Sequence, residues 1–225
     1  MQNIVTAAVS LVAFVITLTV HEFSHALVGY YLGDETAKRL GRLTLNPIPH
    51  LDPIGTILFP IIGAVTGAPV FGWAKPVPVN PYNLRYGKWG AVLVALAGPA
   101  SNVVVAVLAT VTLLALTAAG LAPNNLLAVF LVLLAMISLV LAVFNLIPVA
   151  PLDGSRLLSA LLDSPKHRSL RVFLETRGPL ILLLVIMVDF MSPSSILGSL
   201  FNWTVVRFFW LMGALPTVAR VSGVM

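Results

Sequence analysis

Apolar positions along this chain gather into runs of membrane-crossing length, separated by short links rich in Pro, Gly and charge. The runs fall near residues 4–32, 89–120, 126–150, 178–194 and 196–217, and a helix needs roughly 20 residues to cross a bilayer. Between Trp89 and Leu152 there is no Asp, Glu, Lys or Arg at all. A shorter apolar piece at 54–70 carries Pro60, Gly63, Gly67 and Pro69. Backbone broken in this way survives at membrane depth only when it is buried in protein or lines a wet cavity. The segment is therefore expected to re-enter or embed rather than span. The pattern predicts an all-α polytopic membrane protein, with about five transmembrane helices plus a re-entrant or membrane-embedded segment near 54–70. A single membrane domain over 1–225 holds a core of about 15–160 and C-terminal helices at about 178–217.

Composition supports this frame: 59% of residues are hydrophobic and 9% charged, and the mean hydropathy is +1.01, outside the range of soluble globular domains. The net charge of +5 is concentrated in short loops, which reads as topology and lipid contact, with no nucleic-acid partner expected. Lys38, Arg39 and Arg42 follow the first run, Lys75, Arg85 and Lys88 precede the second, and Arg156, Lys166, Arg168, Arg171 and Arg177 follow the third. By the positive-inside rule all three groups are cytoplasmic. The first Lys or Arg is Lys38, so the opening run lacks the basic start of a secretory signal and is expected to be retained as a crossing. There is no cysteine; any metal must be held by His, Asp or Glu.

Inside the first run, "VITLTVHEFSHALVGYYLG" sets Glu22 between His21 and His25. Two histidines four apart on a helix share a face, about 5–6 Å apart at Cβ, and both can reach one metal ion. Glu22, next around the helix, would face the open side of the metal and take a proton from a bound water, which is the mechanical content of HExxH. Five-residue matches occur by chance in unrelated proteins, but the membrane changes their weight. An ionisable side chain at the bilayer centre costs about 2.5–3.5 kcal/mol on insertion scales, and a divalent cation with its water offsets that cost.

A hydrolytic zinc site takes three protein ligands and keeps one position open. Outside the basic loops the candidates are His50, Asp52, Asp153 and Asp189. Asp189 lies near the outer end of its run, whereas the histidines lie in the cytoplasmic half of theirs. Asp153 ends the third crossing at a similar depth and is the preferred third ligand. His50 and Asp52 stand behind it, Asp-Pro followed by Ile-Gly being common turn chemistry. In "NLIPVAPLDG" the helix is broken by Pro148 and Pro151, and Gly154 permits a tight turn. Unwound backbone there offers an edge to an extended substrate. Asn145 is placed to hydrogen-bond a substrate carbonyl or developing oxyanion, an interhelical hydrogen bond being the plainer alternative. For Asn102 in "AGPASN" the plainer reading, an interhelical hydrogen bond, is preferred, since Gly98, Ala100 and Ser101 form a small-residue helix contact.

Together these residues resemble the site-2 proteases, the intramembrane zinc metalloproteases. HExxH at His21, Glu22 and His25, followed by NxxPxxxLDG at Asn145, Pro148, Leu152, Asp153 and Gly154, carries the resemblance. GPxxN at Gly98, Pro99 and Asn102, with "LDPIGT" and "GWAKPVPVNP", is similar to the compact prokaryotic branch, and the likeness covers roughly residues 15–160. It implies one Zn2+ per chain on His21, His25 and Asp153, Glu22 as general base and acid, and Asn145 near the scissile carbonyl. It further implies regulated intramembrane proteolysis of a single-pass transmembrane substrate, from a multi-pass enzyme of a prokaryotic cytoplasmic membrane with its site toward the cytoplasm. Two features depart from better-studied members: no PDZ or CBS module is present in the 225 residues, and Ser155 stands where a second glycine is frequent.

Water would reach such a site from the cytoplasm, making 43–56 and 71–88 candidates for the access path and its gate. "AKPVPVNPYNL" also reads as an interfacial loop anchored by Lys75, Tyr82 and Trp89, while Arg207 and His167 are expected to snorkel or stay solvated. Two other classes compete. A transporter or channel would also use broken helices, but with matched halves and polar residues on several crossings. A catalytically silent zinc-stabilised membrane protein would keep His21, His25 and Asp153 and gain nothing from Glu22.

Overall fold

The computed structural model describes residues 2–59, 61–62, 72–192 and 194–223, and every regular element among them is helical. The most apolar are α1 (Gln2–Tyr31), α3 (Lys88–Ala118) and α4 (Leu126–Asn145), with a short α2 (Thr36–Arg39) after the first. Among the described residues these three are the helices long and apolar enough to cross a membrane alone. Beyond them come α5 (Gly154–Leu161), α6 (Arg168–Met191), α7 (Ile196–Leu211) and α8 (Leu215–Ser222). The two apolar runs at 178–194 and 196–217 pass as membrane segments only as the pair α6 and α7, bent by 84° at their junction. Asp189 caps that junction: Oδ1 accepts from Ile196 N at 2.6 Å and Leu197 N at 3.1 Å, and Oδ2 from the Ser195 hydroxyl at 2.6 Å. Of the 54–70 segment, residues 60 and 63–70 lie outside the described residues. Its start, Pro53–Leu58, is a π-helical turn capped by Asp52, whose Oδ1 accepts from Ile54 N and Gly55 N at 3.0 and 2.7 Å.

Helices α1, α3 and α4 pack against one another, and α7 and α8 close onto α4. Lipid tails are as apolar as leucine, so such helices associate through close packing and interhelical hydrogen bonds. Small residues contribute accordingly: Ala13 of α1, Ala106 and Ala109 of α3, and Ala128 and Ala135 of α4 are buried, with Leu113, Leu131, Val132, Leu139 and Phe209 among the larger side chains that fill the space around them. One buried polar pair adds register, the hydroxyls of Thr17 and Ser138 lying 2.9 Å apart between α1 and α4.

Below α1 the chain is tied by side-chain acceptors. Asp34 is buried just past the helix end, where its carboxylate accepts from Asn80 N at 2.7 Å, Asn83 Nδ2 at 3.0 Å, Thr36 N at 3.1 Å and the Thr36 hydroxyl. These bonds hold the turn Pro81–Asn83 against α1, and residues 72–80 run back toward the bundle. Along that stretch Trp73 N donates to Gly55 O at 3.2 Å and Lys75 N to His50 O at 3.0 Å, while Arg42 Nη2 donates to Lys75 O.

Burial alone would raise the Asp34 pKa, but the hydrogen bonds from Thr36, Asn83 and Asn80 outweigh it and hold the carboxyl below its ordinary value. A lowered folded pKa contributes stability that is fully present above the unfolded value of about 3.9 and is lost as pH falls through the folded one. The Asp34→Asn variant is expected to lose about 1.5–3 kcal/mol of stability at neutral pH, as for hydrogen bonds to a charged group, and to show a shallower loss on acidification. Thermal unfolding in detergent as a function of pH checks this; an unchanged profile would remove Asp34 from the role.

Candidate metal centre

Helical spacing on α1 sets His21 and His25 one turn apart, their rings edge to face with centroids 4.6 Å apart. Both rings rest on α3. The His25 Nδ1 lies 2.7 Å from the carbonyl oxygen of Val94, which can only accept, so Nδ1 carries the proton and Nε2 presents its lone pair. The seat is the bare backbone of Gly98: a Cβ there would come within 2.5 Å of both His21 Cε1 and His25 Nε2. One turn further along, the fully buried Asn102 amide lies 3.1 Å from His21 Nδ1.

The third group arrives through the break after α4. Pro148 and Pro151 have no N–H to continue the helix, and the chain folds back through Val149 N to Ile147 O at 2.8 Å and Leu152 N to Val149 O at 3.0 Å. Gly154 closes the turn so tightly that a Cβ would stand 2.2 Å from Leu146 O. Asp153 is thereby carried to the histidines, its Oδ2 3.2 Å from His21 Nε2 and 3.3 Å from His25 Nε2. The two Nε2 atoms are 3.0 Å apart, and one ligand atom from each residue falls within 4.8 Å of the others.

These atoms face a common point. Asp153 Oδ2 is buried without a well-directed hydrogen bond among the described residues, and two ring lone pairs at 3.0 Å repel unless a proton or a cation lies between them. Zinc ligands at about 2.0–2.2 Å stand roughly 3.3–3.6 Å apart in a tetrahedral site, close to the 3.0–3.3 Å separations found here. The donor set fits zinc.

Glu22 is buried beside this group, its Oε2 accepting from Val77 N at 2.9 Å. The buried guanidinium of Arg42 is near enough for its charge to act on the Glu22 carboxylate. Asn145 is not drawn into the cluster; its Nδ2 donates to Leu141 O on its own helix at 3.0 Å. The other acidic and imidazole candidates have structural tasks. His50 is fully buried with Nε2 2.8 Å from Thr44 O, and Asp52 and Asp189 cap helical turns. Asn102 makes the interhelical hydrogen bond expected of it, and its partner on α1 is the His21 ring. The signal was an amide within an apolar run, since a buried amide in lipid needs a partner.

Residues 114–188 match the family described as Peptidase family M50, a stretch that contains Asn145 and Asp153 but not the two histidines. The chain is 38% identical over 200 residues to YwhC of Bacillus subtilis (strain 168), covering 87% of this chain and 84% of the relative. It is 33% identical over 161 residues to Rip2 of Mycolicibacterium smegmatis, covering 70% and 58% respectively. Over 213 residues it is 29% identical to Rip2 of Mycobacterium tuberculosis (strain ATCC 25618 / H37Rv), covering 94% and 77%. Each of these relatives bears the name of a candidate zinc metalloprotease. No solved structure matches.

Adding a methyl at Gly98 must push the rings off their seat, whereas a Cβ at Gly29 meets only Val94 Cγ2 at an ordinary 3.9 Å. Gly98→Ala is expected to weaken zinc binding by about 10–100-fold, on the scale of lost ligand support, and Gly29→Ala to leave it unchanged. Competition against a chromophoric chelator measures both.

Proposed function

The chain belongs to peptidase family M50, and from that membership we propose that it is a zinc-dependent endopeptidase acting on a peptide bond within or near the transmembrane segment of a membrane-anchored protein. The observation that carries the reading is the convergence of His21 Nε2, His25 Nε2 and Asp153 Oδ2, within 3.3 Å of one another, in a bundle of apolar helices and next to Glu22. One Zn2+ per chain would be held by those three residues, with a fourth position open. When bound, zinc lowers the pKa of its water to about 7 and polarises a carbonyl.

The protein's own groups do the rest. Val77 N–H holds Glu22 Oε2, leaving Oε1 to take the proton of the attacking water and hand it to the leaving amine nitrogen. Asn145 uses one of its two amide hydrogens on Leu141 O; the second is available to a substrate carbonyl. A transmembrane helix shields its peptide bonds until it uncoils, and the extended stretch at 72–80, whose Val77 amide already reaches Glu22, is a partner for an uncoiled strand.

The substrate in this reading is a single-pass transmembrane protein, cleaved in regulated proteolysis within a prokaryotic cytoplasmic membrane, with lipid around the enzyme. Of about five crossings, α1, α3 and α4 make three. Helices α6 and α7 are taken as the others because basic residues mark the cytoplasmic ends, Arg168, Arg171 and Arg177 on α6 and Arg207 and Arg220 on α7 and α8. The site then faces the cytoplasm, and residues 43–56 and 72–88 line the water path.

Metal content and cleavage of a model transmembrane substrate, on purified protein in detergent, test this reading together. Wild type and Glu22→Gln are expected to hold about one zinc, with cleavage lowered at least about 100-fold in Glu22→Gln. Asp153→Ala and His25→Ala are expected to lose both metal and activity. Full zinc in Asp153→Ala would reject the third ligand; no zinc in wild type would reject the enzyme.

A further inference from the structure

The two histidines are anchored at their far nitrogens by different kinds of partner. His25 Nδ1 meets a backbone carbonyl, which fixes its proton. His21 Nδ1 meets the side-chain amide of Asn102, which can donate or accept. As oriented, Nδ2 faces the ring and Oδ1 is buried without a hydrogen-bond partner among the described residues. This orientation completes a chain of hydrogen bonds that needs no metal: Asn102 Nδ2–H to His21 Nδ1, His21 Nε2–H to His25 Nε2, and His25 Nδ1–H to Val94 O. In that chain the proton on His21 Nε2 occupies the position where a metal would bind.

A cation on both Nε2 atoms requires the other tautomer of His21. Its proton then sits on Nδ1 and points at the Asn102 amide, which must present its oxygen. Nitrogen and oxygen of a side-chain amide occupy nearly the same space, so a half-turn of the amide suffices, without moving α3. Resting on the zinc reading above, we propose that Asn102 is a positioning residue for the metal: its Oδ1 accepts the His21 Nδ1–H and locks the tautomer whose Nε2 is free to ligate. The amide donates to the ring in the metal-free protein and accepts from it in the loaded one. Asn102 thus does for His21 what the Val94 carbonyl does for His25, with the difference that a side-chain amide can follow the metal. Partners of this kind orient ligating histidines generally, and their loss typically weakens metal binding 10–100-fold.

The test compares zinc affinity, by chelator competition on the full-length protein in detergent, for wild type, Asn102→Ala and Asn102→Asp. Thermal unfolding of the metal-free forms is recorded alongside. A carboxylate can only accept, so Asn102→Asp retains the proposed bond and is expected to bind zinc near the wild-type level, while Asn102→Ala weakens it about 10–100-fold. Equal affinity in all three, or equal loss in both variants, would overturn the assignment while leaving the zinc reading intact. Wild type that takes up no zinc would reject both. Should the variants fail to fold, 15N spectra of histidine-labelled, zinc-loaded wild type still decide the matter: a proton on His21 Nδ1 supports the assignment, and a bare Nδ1 overturns it.

Discussion

Two imidazole nitrogens held 3.0 Å apart with a carboxylate oxygen 3.2 and 3.3 Å from them, inside a bundle of apolar helices, form the interaction around which this structure is arranged. In water the three groups would separate and hydrate. In a bilayer they have no such recourse, and each polar atom not bonded within the protein carries a cost of several kcal/mol. The surrounding architecture removes these costs one at a time. The Val94 carbonyl takes one ring nitrogen, the Asn102 amide takes another, and a glycine beneath both rings lets α3 approach closer than any side chain would permit.

That approach has consequences for the rest of the bundle. Helices brought this close meet at small side chains where their backbones are nearest, and alanines of α1, α3 and α4 are part of the buried contact, with Leu113, Leu131 and Leu139 among the larger residues around them. The Asp153 carboxylate cannot come from a continuous α4, since a straight helix would carry residue 153 past the histidines. Two prolines end the helix and Gly154 folds the chain back on Leu146. Within the break Leu152 and Gly154 are buried and Asp153 is half-buried, while Leu146, Pro148 and Pro151 are exposed, so the turn is anchored at the end that carries the carboxylate.

The extended stretch at 72–80 joins the loops to the chemistry. Its amides bond to Gly55, His50 and Glu22 in turn, and its end is tied through Asn80 to Asp34. One side of the Glu22 carboxylate is thereby fixed by backbone while the other stays open. The prolines at 76 and 78, together with Pro81, keep this stretch from becoming helix.

Local pattern determined a good deal. Apolar runs set α1, α3 and α4, because in lipid the backbone must satisfy itself within each segment and length alone selects the helix. Two histidines one turn apart share a face on any helix, so their pairing was legible from spacing, and helix-breaking prolines before Asp153 marked an interruption with a purpose. The family likeness rests on the same short motifs. What the one-dimensional pattern could not contain was which distant groups meet. Asn102 beside His21, Gly98 beneath both rings and Val77 N–H on Glu22 depend on the angle and depth at which separate helices and loops cross. So does the fate of the last apolar runs, which form one bent pair of helices turned at Asp189. Periodicity is a property of a single segment, whereas the bond that fixes a ring nitrogen is decided only when two segments pack.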